Sequence, residues 1–149
     1  MSKKHTETVD SKLKTAWQVV SRMYNAEASL HDLTISMGHF LLNIDSHDGI
    51  YGSDLAPLLG MESTSLSRIT LSLEKKKLIQ RIPDKEDGRK MKIVLTTKGK
   101  AAKELAKNVV RNFNHLVEVK IGKNKVDDFF KTMDEITALA EHRNKLIKN

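Results

Sequence analysis

The chain contains no cysteine. That excludes structural disulfides, zinc sites built on thiolates and any switch worked by thiol oxidation. It also lacks an apolar run of the roughly 18 residues a membrane-spanning helix requires. Met1-Ser2-Lys3-Lys4-His5-Thr6-Glu7 is not followed by the apolar stretch of a signal peptide, so a cytoplasmic protein is expected. No phosphate-binding loop, dinucleotide fingerprint or G-x-S-x-G elbow is present, nor a carboxylate pair in a recognisable context; an enzyme is not expected. The histidines, His5, His31, His39, His47, His115 and His142, form no H-E-x-x-H or i, i+4 pair, and neither metal nor cofactor is expected. Asp45-Ser46-His47-Asp48 holds candidate cation ligands and triad residue types, yet such a run reads first as a turn.

With 149 residues, 39% of them hydrophobic and 30% charged, the chain suits one compact unit with a real core. Its net charge of +7 is unevenly placed. Between Arg68 and Lys100 lie 11 Lys or Arg against 4 Asp or Glu, an excess equal to that of the whole chain. Residues 1–67 carry 5 against 8 and residues 101–149 carry 10 against 7, so the flanks cancel. Cations confined to one region attract a polyanion and release its condensed counterions, which points to nucleic acid. The competing account is a solvated basic face.

Periodicity predicts a mainly α chain. A first helix over about 10–30, capped by Asp10, carries Leu13, Trp17, Val20 and Tyr24 on one face. A second runs from Thr34 or Ser36 to Asn43, with a broad apolar face of Met37, Phe40, Leu41 and Ile44 that should be buried. A third, capped by Ser53 or Asp54, presents Leu55, Leu58 and Leu59 and ends at Gly60; Pro57 leaves its start open. Beyond residue 96 come two long helices. Thr96 or Thr97 opens the first, which reaches about Lys120 with Ala102, Leu105, Val109, Phe113, Leu116 and Val117 on its apolar side. Gly122-Lys123-Asn124 breaks it, and the last starts at about Lys125 with Val126, Phe129, Phe130, Met133, Ile136, Leu139 and Ala140.

The middle of the chain is the most specific part. A helix over about Ser63–Lys76, starting at a Ser-Thr-Ser run suited to capping, turns Leu66, Ile69 and Leu73 inward. Ser63, Thr64, Ser65, Ser67, Arg68, Lys75 and Thr70 are then candidates for the opposite, groove-facing side. Short polar residues can approach base edges, and an arginine reaches guanine or phosphate. Capping and solvent exposure are the competing account for the serines. Next, Ile79–Pro83 forms a strand, and Asp84-Lys85-Glu86-Asp87-Gly88 has the composition of a turn. Met91, Ile93 and Leu95 then alternate with Lys90, Lys92 and Val94, so one face is buried and the other largely cationic. The product is a two-stranded ribbon with Arg89 near its tip and Lys85, Lys90 and Lys92 as further phosphate candidates.

Asp87, Arg89, Ile93, Leu95, Thr96 and Gly99 match D-x-R followed by an aliphatic residue and x-L-T-x-x-G. The segment thereby resembles the winged-helix domain of the MarR family of bacterial transcriptional regulators. Gly60 to Ile69 and Leu73 to Ile79 resemble that family's turn and recognition helix. The resemblance implies a single MarR-like unit. In it a winged helix-turn-helix with a two-stranded β wing (about 34–99) is flanked by N- and C-terminal helices (about 10–30 and 100–147) forming a dimerisation stem. It implies a homodimer on inverted-repeat double-stranded DNA, Arg89 in the minor groove and relief of repression by a small aromatic or amphipathic anionic effector. Without cysteine, the thiol-based sensing of some family members is excluded. Asp87 is expected to orient Arg89 or Arg81. Trp17, Tyr24, Gly38 and His39 are the candidates for the effector cleft, with core packing as the competing account of the first, second and fourth. Gly38 stands where the family often has a bulky residue. The alternatives are a winged-helix protein-interaction module and a nonspecific DNA-binding protein.

Overall fold

The computed structural model describes residues 7–148, so the start of the N-terminal run and His5 lie outside it. Helix α1 (Val9–Ser29) begins at Thr8, whose side chain accepts from the Ser11 amide while Ser11 accepts from Thr8, a reciprocal capping box. The cap is therefore Thr8. Asp10 sits in the first turn, where its charge suits the helix dipole. Helix α2 (Ile35–Leu42) is capped by the Thr34 hydroxyl on the Met37 amide, and buries Phe40 and Leu41 completely.

Strand β1 (Ile50–Tyr51) leads directly into helix α3 (Gly52–Leu59). Tyr51 occupies the cap position without a side-chain bond, so neither Ser53 nor Asp54 caps this helix. Pro57 lies inside α3, and Gly60 ends it in the left-handed region at φ 60°. Helix α4 (Ser63–Lys75) starts after Glu62, again without a side-chain cap, so the Ser-Thr-Ser run lies within the first turn. Strands β2 (Ile79–Pro83) and β3 (Met91–Leu95) follow, then helices α5 (Thr97–Ile121) and α6 (Lys123–Lys148).

The sheet has three strands where alternation predicts two, in the order β1-β3-β2 and antiparallel throughout. Ile50 stands opposite Ile93 and Tyr51 opposite Lys92. A two-residue strand is too short to show a period, which is why β1 is silent in the sequence. On the other side of β3, Ile79 pairs with Leu95 and Pro83 with Met91. Ile93 and Leu95 are buried as expected, but Met91 is 39% exposed because the ribbon has by then left the core.

Phe40, Leu41, Ile44, Leu55, Leu73, Leu78, Ile79, Ile93 and Leu95 form one continuous core drawn from α2, α3, α4 and the sheet. Two contacts fasten the start of α5 to it. The Thr96 hydroxyl caps the Gly99 amide at 2.9 Å and its backbone N–H donates to Leu78 O at 3.1 Å. Lys103 is buried, with its ammonium donating to the Ile44 carbonyl. A lysine between two apolar positions was not legible as a core residue; its methylene stem packs while its head finds a carbonyl.

The chain divides into two compact units, one ending at Val109 and the other beginning at Val110. In the second, α6 starts at Lys123, two residues before the sequence reading places it, and buries no residue. Leu116, Val119, Phe129, Phe130 and Leu139 are each more than half exposed. In the first unit Trp17 and Val19 of α1 are also about half exposed, at 52% and 53%. Among the described residues no helix is long and apolar enough to cross a membrane.

Candidate nucleic-acid interface

Helix α4 is amphipathic in a way that separates two jobs. Leu73 is fully buried and Leu66 and Ile69 pack on the core. Thr70 is also inside, 6% exposed, with its hydroxyl donating to Leu66 O at 2.8 Å. The sequence reading left Thr70 open to the groove; the 100° step per residue instead puts it beside the core stripe. Diametrically opposite run Thr64, Arg68, Leu71 and Lys75, all exposed, with Ser63, Ser65 and Ser67 exposed at their flanks. Leu71, 57% exposed, is the residue that sequence reasoning missed. Its spacing of three from Arg68 and four from Lys75 was the available signal.

The wing is tied to this helix by a bidentate ion pair. Arg81 of β2 donates through Nε and one terminal nitrogen to the two carboxylate oxygens of Glu74, each at 2.8 Å. The hydrogen bonds to Glu74 raise the arginine's pKa further, so the guanidinium keeps its charge. Both partners are partly exposed, and the geometric constraint of a fork matters more here than the energy. Arg81 is thus Glu74's partner and is unavailable to Asp87. Asp87 instead accepts the Arg89 backbone N–H at 3.1 Å, shaping the tip through the main chain.

Asp84 organises the rest of the turn. Its Oδ1 accepts the amides of Glu86 at 2.8 Å and Asp87 at 3.0 Å, and its Oδ2 accepts the Tyr51 hydroxyl. Tyr51 first, and the backbone amides next, hold the Asp84 carboxyl down at about 2. Lys85, Arg89 and Lys90 are exposed around this turn and Lys92 is half-buried.

A profile of the MarR family matches residues 33–91, from just before the α2 cap to the first residue of β3. Over that stretch the chain is similar to the MarR family. Over 80 residues it is 31% identical to the HTH-type transcriptional regulator SarZ of Staphylococcus haemolyticus, which covers 54% of each chain. The matched stretch therefore spans about half the length of that relative. The crystal structure of the S. aureus MepR–DNA complex superposes with a TM-score of 0.81 at 21% identity, covering 89% of this chain and 97% of that one. A second MarR family transcription regulator gives 0.82 at 17%, covering 89% and 87%. MarR itself gives 0.76 at 19%, covering 94% and 95%. At such identities the likeness is one of fold. MarR-family members are transcription regulators and not enzymes.

The residues singled out for an effector cleft meet in part. The Trp17 and His39 rings stack at 6.4 Å between centroids and 20° between planes, joining α1 to α2. Tyr24 is half-buried, which raises its hydroxyl pKa. A separate hollow of about 490 Å³ opens between the end of α1, the start of α2 and α4, with Asn25, Met37, Ser65 and Arg68 in its wall. The Asp45 carboxylate accepts the His47 and Asp48 amides at 2.8 and 2.7 Å, so it is spent on a turn. Among the described residues no cluster of His, Asp or Glu is arranged to hold a metal.

The Asp84 arrangement carries a pH signature. Its folded-state pKa lies below the usual 3.8, so the stability it contributes is complete above that value and lost as pH falls through about 2. Acid titration of folding should show a small loss between those limits that Asp84→Asn lacks. An identical acid limb in the variant would remove Asp84 from this role.

Proposed function

We propose that the protein is a sequence-specific DNA-binding transcriptional regulator acting as a homodimer, with α4 in a major groove and Arg89 of the wing in the adjacent minor groove. The observation that carries this reading is the outward stripe of α4. Thr64, Arg68, Leu71 and Lys75 stand opposite the core, beside a cationic wing held at fixed pitch by Arg81 and Glu74. A major groove admits one helix face of that width, and a narrow A·T-rich minor groove attracts an arginine. Ser63, Thr64, Ser65 and Ser67 provide short polar contacts to bases and phosphates. Lys75, Lys85, Lys90 and Lys92 supply phosphate contacts around them.

The exposed apolar residues of α1, α5 and α6 support dimerisation, since a lone chain leaves them in water. A two-fold dimer requires an inverted repeat whose half-sites lie roughly 34–36 Å apart. The stacked Trp17 and His39, with Tyr24 and Gly38 nearby on the same two helices, support a site for a small aromatic or amphipathic anion. Such a ligand relieves repression by binding one spacing of the recognition helices more tightly than the other.

Selection from a random duplex library at near-physiological salt tests the reading. An enriched inverted repeat supports it; retention without enrichment would make the protein a nonspecific binder, and no retention would favour an acidic protein partner. Leu71 adds a sharper expectation, because an apolar side chain in a major groove is matched by the thymine 5-methyl group. Leu71→Ala, and thymine-to-deoxyuridine replacement beneath it, should each cost about 1 kcal/mol and together cost no more than either alone. Full additivity in that cycle would show that Leu71 does not meet a thymine.

A further inference from the structure

We infer that Tyr51 is a positioning residue for the wing, resting on the DNA-binding reading above: it clamps the turn through Asp84 and holds Lys90 and Lys92 over its ring until phosphates take them. Tyr51 belongs to the edge strand β1, outside the wing and outside the core cluster. Its position opposite Lys92 brings the phenol across the base of the ribbon. From there it touches both limbs. The hydroxyl donates to Asp84 at the end of β2, while the ammonium groups of Lys90 and Lys92, leading into and within β3, stand 5.9 and 5.7 Å from the ring centroid. Asp84 closes the ribbon by donating its amide to Lys90 O at 2.9 Å.

The Arg81–Glu74 pair fixes the base of the wing on α4, and the turn beyond it has little else to order it. Beyond Ile79, every residue of β2 is exposed, and so is each residue from Lys85 to Met91. Residues without a packed interior are held by hydrogen bonds alone, and any freedom they keep must be surrendered on binding. The Asp84 carboxylate gathers three donors, and only the one from Tyr51 comes from outside the turn. That contact decides where the turn points; the other two decide only its internal shape. The ring adds an electrostatic role, since an aromatic face attracts cations at these distances without neutralising them. The two lysines are thereby kept on one side of the ribbon with their full charge available to DNA.

The test uses the full-length protein and the duplex recovered by selection, with Tyr51→Phe, Asp84→Ala and Asp84→Asn. Tyr51→Phe keeps the ring and removes only the donor; Asp84→Asn keeps an oxygen for the Glu86 and Asp87 amides and turns its Nδ2 to the Tyr51 oxygen, which then accepts, so the link is kept with its direction reversed. Nitrogen-relaxation order parameters at Glu86 and Asp87 should fall in Tyr51→Phe and Asp84→Ala and recover in Asp84→Asn. Binding should weaken about three- to tenfold in the first two, the range for losing one net hydrogen bond. Hydroxyl-radical protection of the minor groove should be lost while guanine N7 protection in the major groove persists. Unchanged order parameters in Tyr51→Phe, or a parallel loss in both grooves, would overturn the proposal. A wild-type protein that enriches no duplex would sink the regulator reading instead, and the relaxation comparison on free protein still decides whether Tyr51 orders the wing.

Discussion

Gly99→Ala is expected to destabilise the protein by about 3 kcal/mol, the upper end of what overpacking costs. A Cβ at residue 99 would stand 1.8 Å from the Leu78 carbonyl oxygen and 2.9 Å from its carbon. The obstacle is backbone, so no rotamer change relieves it. Nor can Leu78 withdraw, because its carbonyl accepts from both the N–H and the hydroxyl of Thr96, and its side chain is buried. Helix α5 must therefore tilt away from the end of the Leu73–Leu78 segment, opening the core beneath. Gly38→Ala is the internal control. It lies within α2 with nothing beyond its own stretch of helix within 4 Å of the added carbon, and should stabilise by up to about 1 kcal/mol through helix propensity. Urea unfolding of both variants checks the pair. Equal effects of either sign would mean that the close approach at Gly99 is not a constraint.

Arg68→Ala is expected to relax sequence preference at one operator position by about 1–3 kcal/mol, as for loss of a bidentate base contact. Arg68 is exposed at the centre of the outward face of α4. Among the ion pairs of the described residues none involves it, whereas Arg81 is committed to Glu74 and Lys76 to Asp32. Arg68 also contributes to the wall of the hollow that Asn25 and Met37 line. Binding of the selected duplex and of its single-base variants separates the outcomes. A penalty confined to one position marks base reading. Equal weakening on all sequences, with the salt slope reduced by about one, would reassign Arg68 to a phosphate.

Local patterns were legible where their causes are local. The strand Ile79–Pro83, the alternation that becomes β3, the start of α2 narrowed to Thr34 or Ser36 and the Gly60 stop all follow from alternation, a hydroxyl or a missing Cβ within a few residues. The same holds for the concentration of positive charge between Arg68 and Lys100, which is a property of composition. Caps were less legible, since Thr8 and Asp10, or Glu62 and Ser63, compete within one turn and the packing of the helix body chooses between them.

The sequence by itself determined that this chain would be mainly helical, with a winged segment whose charge suits a polyanion and without thiol chemistry of any kind. Period, capping chemistry and the absence of cysteine act over a handful of bonds, so no folded context is needed to read them. Only the tertiary structure decided that Tyr51 reaches Asp84, that Glu74 claims Arg81, that Lys103 serves Ile44 and that Leu71 rather than Thr70 faces outward. Those choices depend on which surfaces meet once the core closes, and a hydrogen bond or a buried charge is settled by the partner that packing brings within reach, not by its neighbour in the chain.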